Sequence, residues 1–145
     1  MKDIEKELQE IINRKNIFKD EPMEKHTSFK IGGTADYFIK ITSLEELKAI
    51  LDFTKQNNIP LTIVGNGTNI LVREAGIRGI VIKLELKDFK IRRLSHEILI
   101  TAEAGMTLAT LANIALKEEI SGLEFLSGIP GTIGRSCTHE CWCLW

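Results

Sequence analysis

LTIVGNGTNIL, from Leu61 to Leu71, joins a short apolar run to a bare polar loop. Pro60 leads into it, and the β-branched Thr62, Ile63 and Val64 favour a buried strand over a helical turn. At Gly65 the polarity changes. Gly65, Asn66, Gly67, Thr68 and Asn69 form a loop whose glycines tolerate positive φ and whose small side chains let a ligand approach the backbone N–H groups before the chain turns apolar again at Ile70. Such amides can hold a diphosphate without a lysine, each charge-assisted hydrogen bond contributing roughly 1.5–3 kcal/mol. A tight turn between two strands is the plain alternative. The loop has neither the Lys-Ser/Thr ending of a P-loop nor the G-x-G-x-x-G spacing of a dinucleotide-binding turn.

Upstream, Ala35 to Ile41 (ADYFIKI) reads as a strand. Ser43 and Glu46 then form a capping box, and Leu44, Leu47, Ile50 and Leu51 carry a helical stripe toward Asn57. Strand, helix and strand from Ala35 to Val64 make a βαβ unit, for which a right-handed crossover and parallel strands are expected. The polar loop then sits at the carboxyl end of the second strand, where open α/β sheets bind ligands. Further back, Ile4, Leu8, Ile11 and Ile12 place an amphipathic helix over residues 3 to 15. The pattern breaks from Asn16 to Lys25, which reads as a linker. HTSFKIGG, from His26 to Gly33, either lines a site or simply enters the next strand.

Downstream, short β segments follow closely: Gly79 to Leu84, Phe89 to Leu94 and Glu97 to Glu103, a pattern expected of an antiparallel meander. Gly105 breaks the last of them, and Thr107 caps a helix from Leu108 to Glu119 with Leu108, Leu111, Ala112 and Ala115 inward. A second glycine-rich loop, SGIPGTIG, runs from Ser127 to Gly134, with Pro130 fixing φ and removing one donor. Two loops of similar chemistry, each after a β-rich stretch, would both be explained by one ligand lying between them.

Composition excludes several classes of partner. Nineteen basic and 20 acidic residues leave a net charge of −1, so no basic field invites nucleic acid or an anionic membrane. There is no run of 18 apolar residues and the N-terminus is charged, from which a soluble cytoplasmic protein is expected. An apolar content of 43% suffices for a core.

HTSFKIGGTAD, LTIVGNGTNILV, the AEAG turn at Ala102 to Gly105 and SGLEFLSGIPGTIG together resemble the UDP-N-acetylenolpyruvoylglucosamine reductases of bacteria, in order and in approximate spacing, over Lys25 to Gly134. The resemblance implies an α+β FAD-binding fold of the vanillyl-alcohol-oxidase/reductase type: a small βαβ subdomain (25–75), then a mainly antiparallel β subdomain with a helix (76–134), after an N-terminal helix and linker (1–24). It implies FAD held by Val64, Gly65, Asn66, Gly67, Thr68, Asn69 and Ile70, by Ala104 and Gly105, and by Gly128, Ile129, Pro130, Gly131, Thr132, Ile133 and Gly134. It further implies NADPH as hydride donor and a small UDP-sugar substrate in peptidoglycan precursor synthesis, with no protein partner. Another flavoprotein of the same fold and a non-catalytic nucleotide-binding module remain the alternatives.

The family's proton-donating serine, catalytic glutamate and substrate-binding domain lie beyond GIPGTIG, so no catalytic residue is assigned here and the chain alone is expected to be inactive. The tail, RSCTHECWCLW, departs from the family and holds every cysteine and tryptophan of the chain. Cys137, His139, Cys141 and Cys143 fall at every second position and match no zinc knuckle, so no metal site is expected. His139 to Trp145 can be encoded by CAT GAA TGC TGG TGC TTA TGG. Read one base later, that string gives MNAGAY, the family's continuation, so residues 135–145 are expected to be out of frame.

Overall fold

In a computed structural model, residues 4–138 are described; His139, Cys141, Cys143 and both tryptophans lie outside them. The chain divides into two compact units, one to Glu85 and one from Leu86.

The first unit is a four-stranded sheet in the order β1-β2-β4-β3, made of β1 (Ile17–Pro22), β2 (Thr34–Ile41), β3 (Leu61–Val64) and β4 (Ile77–Leu84). β2, β3 and β4 are parallel and β1 is antiparallel to β2. Two helices, α1 (Ile4–Ile11) and α2 (Leu44–Gln56), accompany it. Leu8 from the first and Ile12 just beyond it, with Ile50 and Phe53 from the second, join Ile39, Ile41, Ile80 and Ile82 in one core cluster. A separate cluster sets Ala35, Phe38 and Val81 against Met23, Val64 and Val72, the last two flanking the polar loop. The alternation of a strand explains both: Ile39 and Ile41 share one face of β2, Phe38 the other.

The βαβ reading holds in that β2 and β3 are parallel, but β4 lies between them. This moves Gly79–Leu84 from the expected antiparallel meander to the centre of the first sheet, and the boundary from residue 75 to Glu85. Burial is the reason: Ile80, Val81 and Ile82 are all fully enclosed, as a central parallel strand covered on both faces requires. The expected linker also contains an edge strand, β1, and the first helix ends at Ile11 rather than residue 15. In β1, Asp20 takes φ 49° and interrupts the pairing between Lys19–Tyr37 and Glu21–Ala35, which erases any period of two.

α2 is capped as expected: Ser43 Oγ accepts from the Glu46 N–H at 3.2 Å, while Glu46 reaches back to the N–H of Thr42 at 2.7 Å.

The second unit has a hairpin, β5 (Phe89–Arg93) with β6 (Ile98–Ala102), then α3 (Leu108–Lys117) and a short α4 (Ile133–Thr138). Ile91, Ile100 and Ala102 are the half-buried residues of the two hairpin strands, and Ile91 pairs directly with Ile100. Arg93 ties the hairpin to the end of α3, donating to the Glu118 carbonyl at 2.8 Å. Thr107 caps α3 as expected, its hydroxyl accepting from the Thr110 N–H. Leu108 and Ala112 of α3 pack on Leu126 of a 3-10 turn, with Leu123, Ile129 and Ile133 around them. No described helix is long and apolar enough to cross a membrane.

Candidate functional site

Val64 is buried at the end of β3, and the chain then bends through Gly65, Asn66 and Gly67 into a turn at Thr68 and Asn69. Asn66, Thr68 and Asn69 are exposed, Gly65 and Ile70 half-exposed, and Gly67 is buried. Among the described residues, none of the five N–H groups from Gly65 to Asn69 donates to another backbone carbonyl. The turn contains no apolar side chain to cover them. Five consecutive amides without internal partners are the donor set an anionic group such as a diphosphate can use.

Gly67 owes its identity to the fold rather than to a ligand. Its φ is +67°, and a Cβ there would collide with the His26 carbonyl and stand 3.1 Å from the Thr27 Cα. The Ser28 N–H donates to the Gly67 carbonyl at 3.0 Å. HTSFKIGG is therefore a support lying against the loop. Its far end is fastened too, since the Gly33 N–H donates to the Arg73 carbonyl at 2.9 Å. Asp36 completes the frame on the same unit. Its carboxylate accepts from the Gly79 N–H at 2.8 Å and meets Arg78 at 2.7 Å, clamping an irregularity in the β2–β4 register.

In the second unit, the AEAG turn and GIPGTIG are bound to each other. The Ile133 N–H donates to the Met106 carbonyl at 2.9 Å, the Gly134 N–H to Ala104 at 3.0 Å, and the Leu108 N–H to Gly131 at 3.1 Å, around a bridge between Thr107 and Thr132. Two of the expected cofactor contacts, Ile133 and Gly134, thus have their N–H groups engaged within the protein, and both lie at the start of α4 rather than in a loop. The Ile129 N–H is engaged as well, by the Leu126 carbonyl. Among the described residues, the N–H groups of Gly131 and Thr132 donate to no backbone carbonyl. Gly131 takes φ +147°, and nothing lies within 4 Å of where its Cβ would stand; the same space is open at Gly128. Ala104 is half-exposed and Gly105 buried. Thr132 is 5% exposed, and its hydroxyl accepts from the Arg135 N–H at 3.4 Å, so it serves α4 as an N-cap.

The run of unpaired amides in the first unit fits an anionic group such as a diphosphate held by backbone; the second unit, taken by itself, has bare backbone at Gly128 and Gly131. Of the supporting residues, Glu21, whose carboxylate lies 3.0 Å from His26 Nε2, went unread in the sequence. The positive φ of Asp20 hid the strand that carries Glu21.

Residues 35–136 match the model of a family described as FAD binding domain. UDP-N-acetylenolpyruvoylglucosamine reductase of Clostridium botulinum (strain Hall) is 45% identical over 133 residues, which cover 91% of this chain and 42% of the relative. The enzyme of the same name from Clostridium novyi (strain NT) is 43% identical over 136 residues, 94% of this chain and 43% of the relative. The chain thus spans about two fifths of the length of these curated relatives. Among solved structures, UDP-N-acetylenolpyruvylglucosamine reductase from Thermus caldophilus superposes with a TM-score of 0.56 at 29% identity, covering 78% of this chain and 38% of that one. p-Cresol methylhydroxylase superposes at 0.57 with 15% identity, over 80% of this chain and 24% of that one, a likeness of fold alone.

Proposed function

The chain belongs to the family of FAD binding domains, and from that membership we propose that it is the flavin-holding portion of a reductase that acts on UDP-N-acetylenolpyruvoylglucosamine. The observation that carries the proposal is the run of free backbone N–H groups from Gly65 to Asn69, in a sequence 45% identical to a reductase of that name.

The N–H groups of the Gly65–Asn69 turn would hold the diphosphate of FAD. In the second unit, Gly131 keeps a bare Cα with open space beside it. Backbone donors suit this task because they are fixed before binding and lose no side-chain entropy. Val64 and Ile70 seal the loop's base against the sheet, packing in the cluster around Phe38. The chemistry supplied by bound FAD is hydride transfer, from NADPH to the enolpyruvyl double bond of the UDP-sugar, giving UDP-N-acetylmuramate for peptidoglycan precursor synthesis. This chain's share is to bind and orient; the groups that protonate the product are assigned to no residue here.

Titrating the chain with FAD and following flavin fluorescence tests the first half. Stoichiometric quenching is expected, and a folded chain that leaves the fluorescence unchanged overturns it. For the substrate, residues 4–134 can replace the matching segment of a clostridial relative. The chimera is expected to oxidise NADPH only when the enolpyruvyl UDP-sugar is present. Oxidation indifferent to that sugar would assign the domain to another flavoprotein of the same fold.

A further inference from the structure

Glu21 and His26 face each other where β1 ends and a 3-10 turn, Met23–His26, begins. His26 Nε2 lies 3.0 Å from Glu21 Oε1, with side chains 16% and 15% exposed. An ionised carboxylate can only accept, so Nε2 carries the proton and donates. The ring also lies flat on Phe38, centroids 3.9 Å apart and planes 18° from parallel, and Phe38 is fully enclosed. The hydrogen bond acts in the plane of the imidazole and the stacking acts across it. Together they leave the residue almost no rotamer freedom.

What that fixes is the backbone of His26. Its carbonyl fills the space beside the Gly67 Cα, and two residues on, the Ser28 N–H holds the Gly67 carbonyl. Gly67 is the midpoint of the five open amides. A shift of the His26 carbonyl would let the turn relax into other φ values open to glycine, and the amides would scatter. Lys25 also approaches Glu21 Oε1, at 3.6 Å, but its side chain is 59% exposed and adds little.

We infer that the Glu21–His26 pair is a positioning device that holds the Gly65–Asn69 turn in its anion-binding form. The inference rests on the FAD reading above. Both act through Gly67.

Amide hydrogen exchange at Ser28, FAD affinity and thermal stability, measured together on the full chain, test this. The variants are His26→Ala, His26→Phe, Glu21→Gln and Glu21→Ala, with Lys25→Ala as control. His26→Ala and Glu21→Ala are expected to speed Ser28 exchange about tenfold and to weaken FAD binding by a similar factor, the size of one lost charge-assisted hydrogen bond. Amides of β4 should keep their wild-type protection. Glu21→Gln keeps an acceptor and should rescue most of the effect; His26→Phe keeps only the stacking and should not. Lys25→Ala should behave as wild type. Unchanged Ser28 exchange, wild-type FAD affinity despite faster exchange, or equal loss of protection throughout the unit would each overturn the inference. Failure of the wild-type chain to bind FAD would instead sink the flavin reading, while Ser28 exchange still decides whether the pair holds the turn.

Discussion

Gly134 donates its N–H to the Ala104 carbonyl at 3.0 Å, and a Cβ on Gly134 would stand 2.8 Å from the Cβ of Ala104. The two segments of the second unit that the sequence marks as bare, AEAG and GIPGTIG, are bare partly because they press on each other. Gly134→Ala should therefore destabilise this unit, and Ala104→Gly should relieve it. In a double-mutant cycle followed by urea denaturation, the coupling is expected to favour the double variant by about 0.5–3 kcal/mol. Strict additivity would mean that the two segments do not touch in solution.

Gly67 presents the same question with a sharper answer. Positive φ costs an alanine about 1–2 kcal/mol, and the His26 carbonyl must move as well. Gly67→Ala and Gly67→Val should therefore lower the melting temperature even without flavin. Loss of FAD binding in a variant that melts like wild type would show that the glycine serves the ligand instead.

Asp36 tests the frame beneath the turn. Asp36→Ala removes the acceptor of the Gly79 N–H, and a half-buried donor left without a partner costs roughly 1–3 kcal/mol. Asp36→Asn keeps an acceptor and loses only the ion pair with Arg78, whose side chain is 64% exposed; that should cost under about 1 kcal/mol. Chemical denaturation of the two variants reads the difference, and equal losses would place the stabilisation in the charge.

The legible parts of this fold are those written locally. The Ser43 and Thr107 caps hold because a hydroxyl and an N–H three residues apart need no distant partner. The hairpin from Phe89 to Ala102 formed where its alternation placed it. β4 was misplaced because sheet membership is decided by remote partners. Its signal was present in the unbroken run Ile80, Val81, Ile82, which suits a strand covered on both faces better than a half-exposed meander. At the site, the Gly65–Asn69 turn was visible from its composition, but the pressure of His26 on Gly67 was not. That contact joins residues 41 positions apart in sequence (67 − 26) and depends on backbone rather than on side-chain pattern.

Asn69 separates binding from folding. Its side chain is exposed and, among the described residues, makes no hydrogen bond. Asn69→Ala should leave unfolding within about 0.5 kcal/mol of wild type. Any effect should appear only as weaker FAD binding. Lower stability without flavin would show that the side chain braces the turn.

Glu45 supplies the pH dependence. It stands in the first turn of α2, where its own backbone N–H and then the Ser43 hydroxyl hold its carboxyl below the ordinary value of 4.5. The helix N-terminus favours the ionised form for the same reason that it favours any anion. The folded value lies below the unfolded one, so Glu45 contributes stability above pH 4.5 and loses it as the pH falls through the folded value. Glu45→Gln should accordingly be less stable than wild type near neutrality, and the two should converge in acid well below that point. The group is fully exposed, so added salt should narrow the gap. Denaturation of both proteins across this range, with the Glu45 side-chain carbon followed by NMR, checks the sign. A gap that widens on acidification would show that the carboxyl is stabilised in its protonated form and that the cap does not act on its charge.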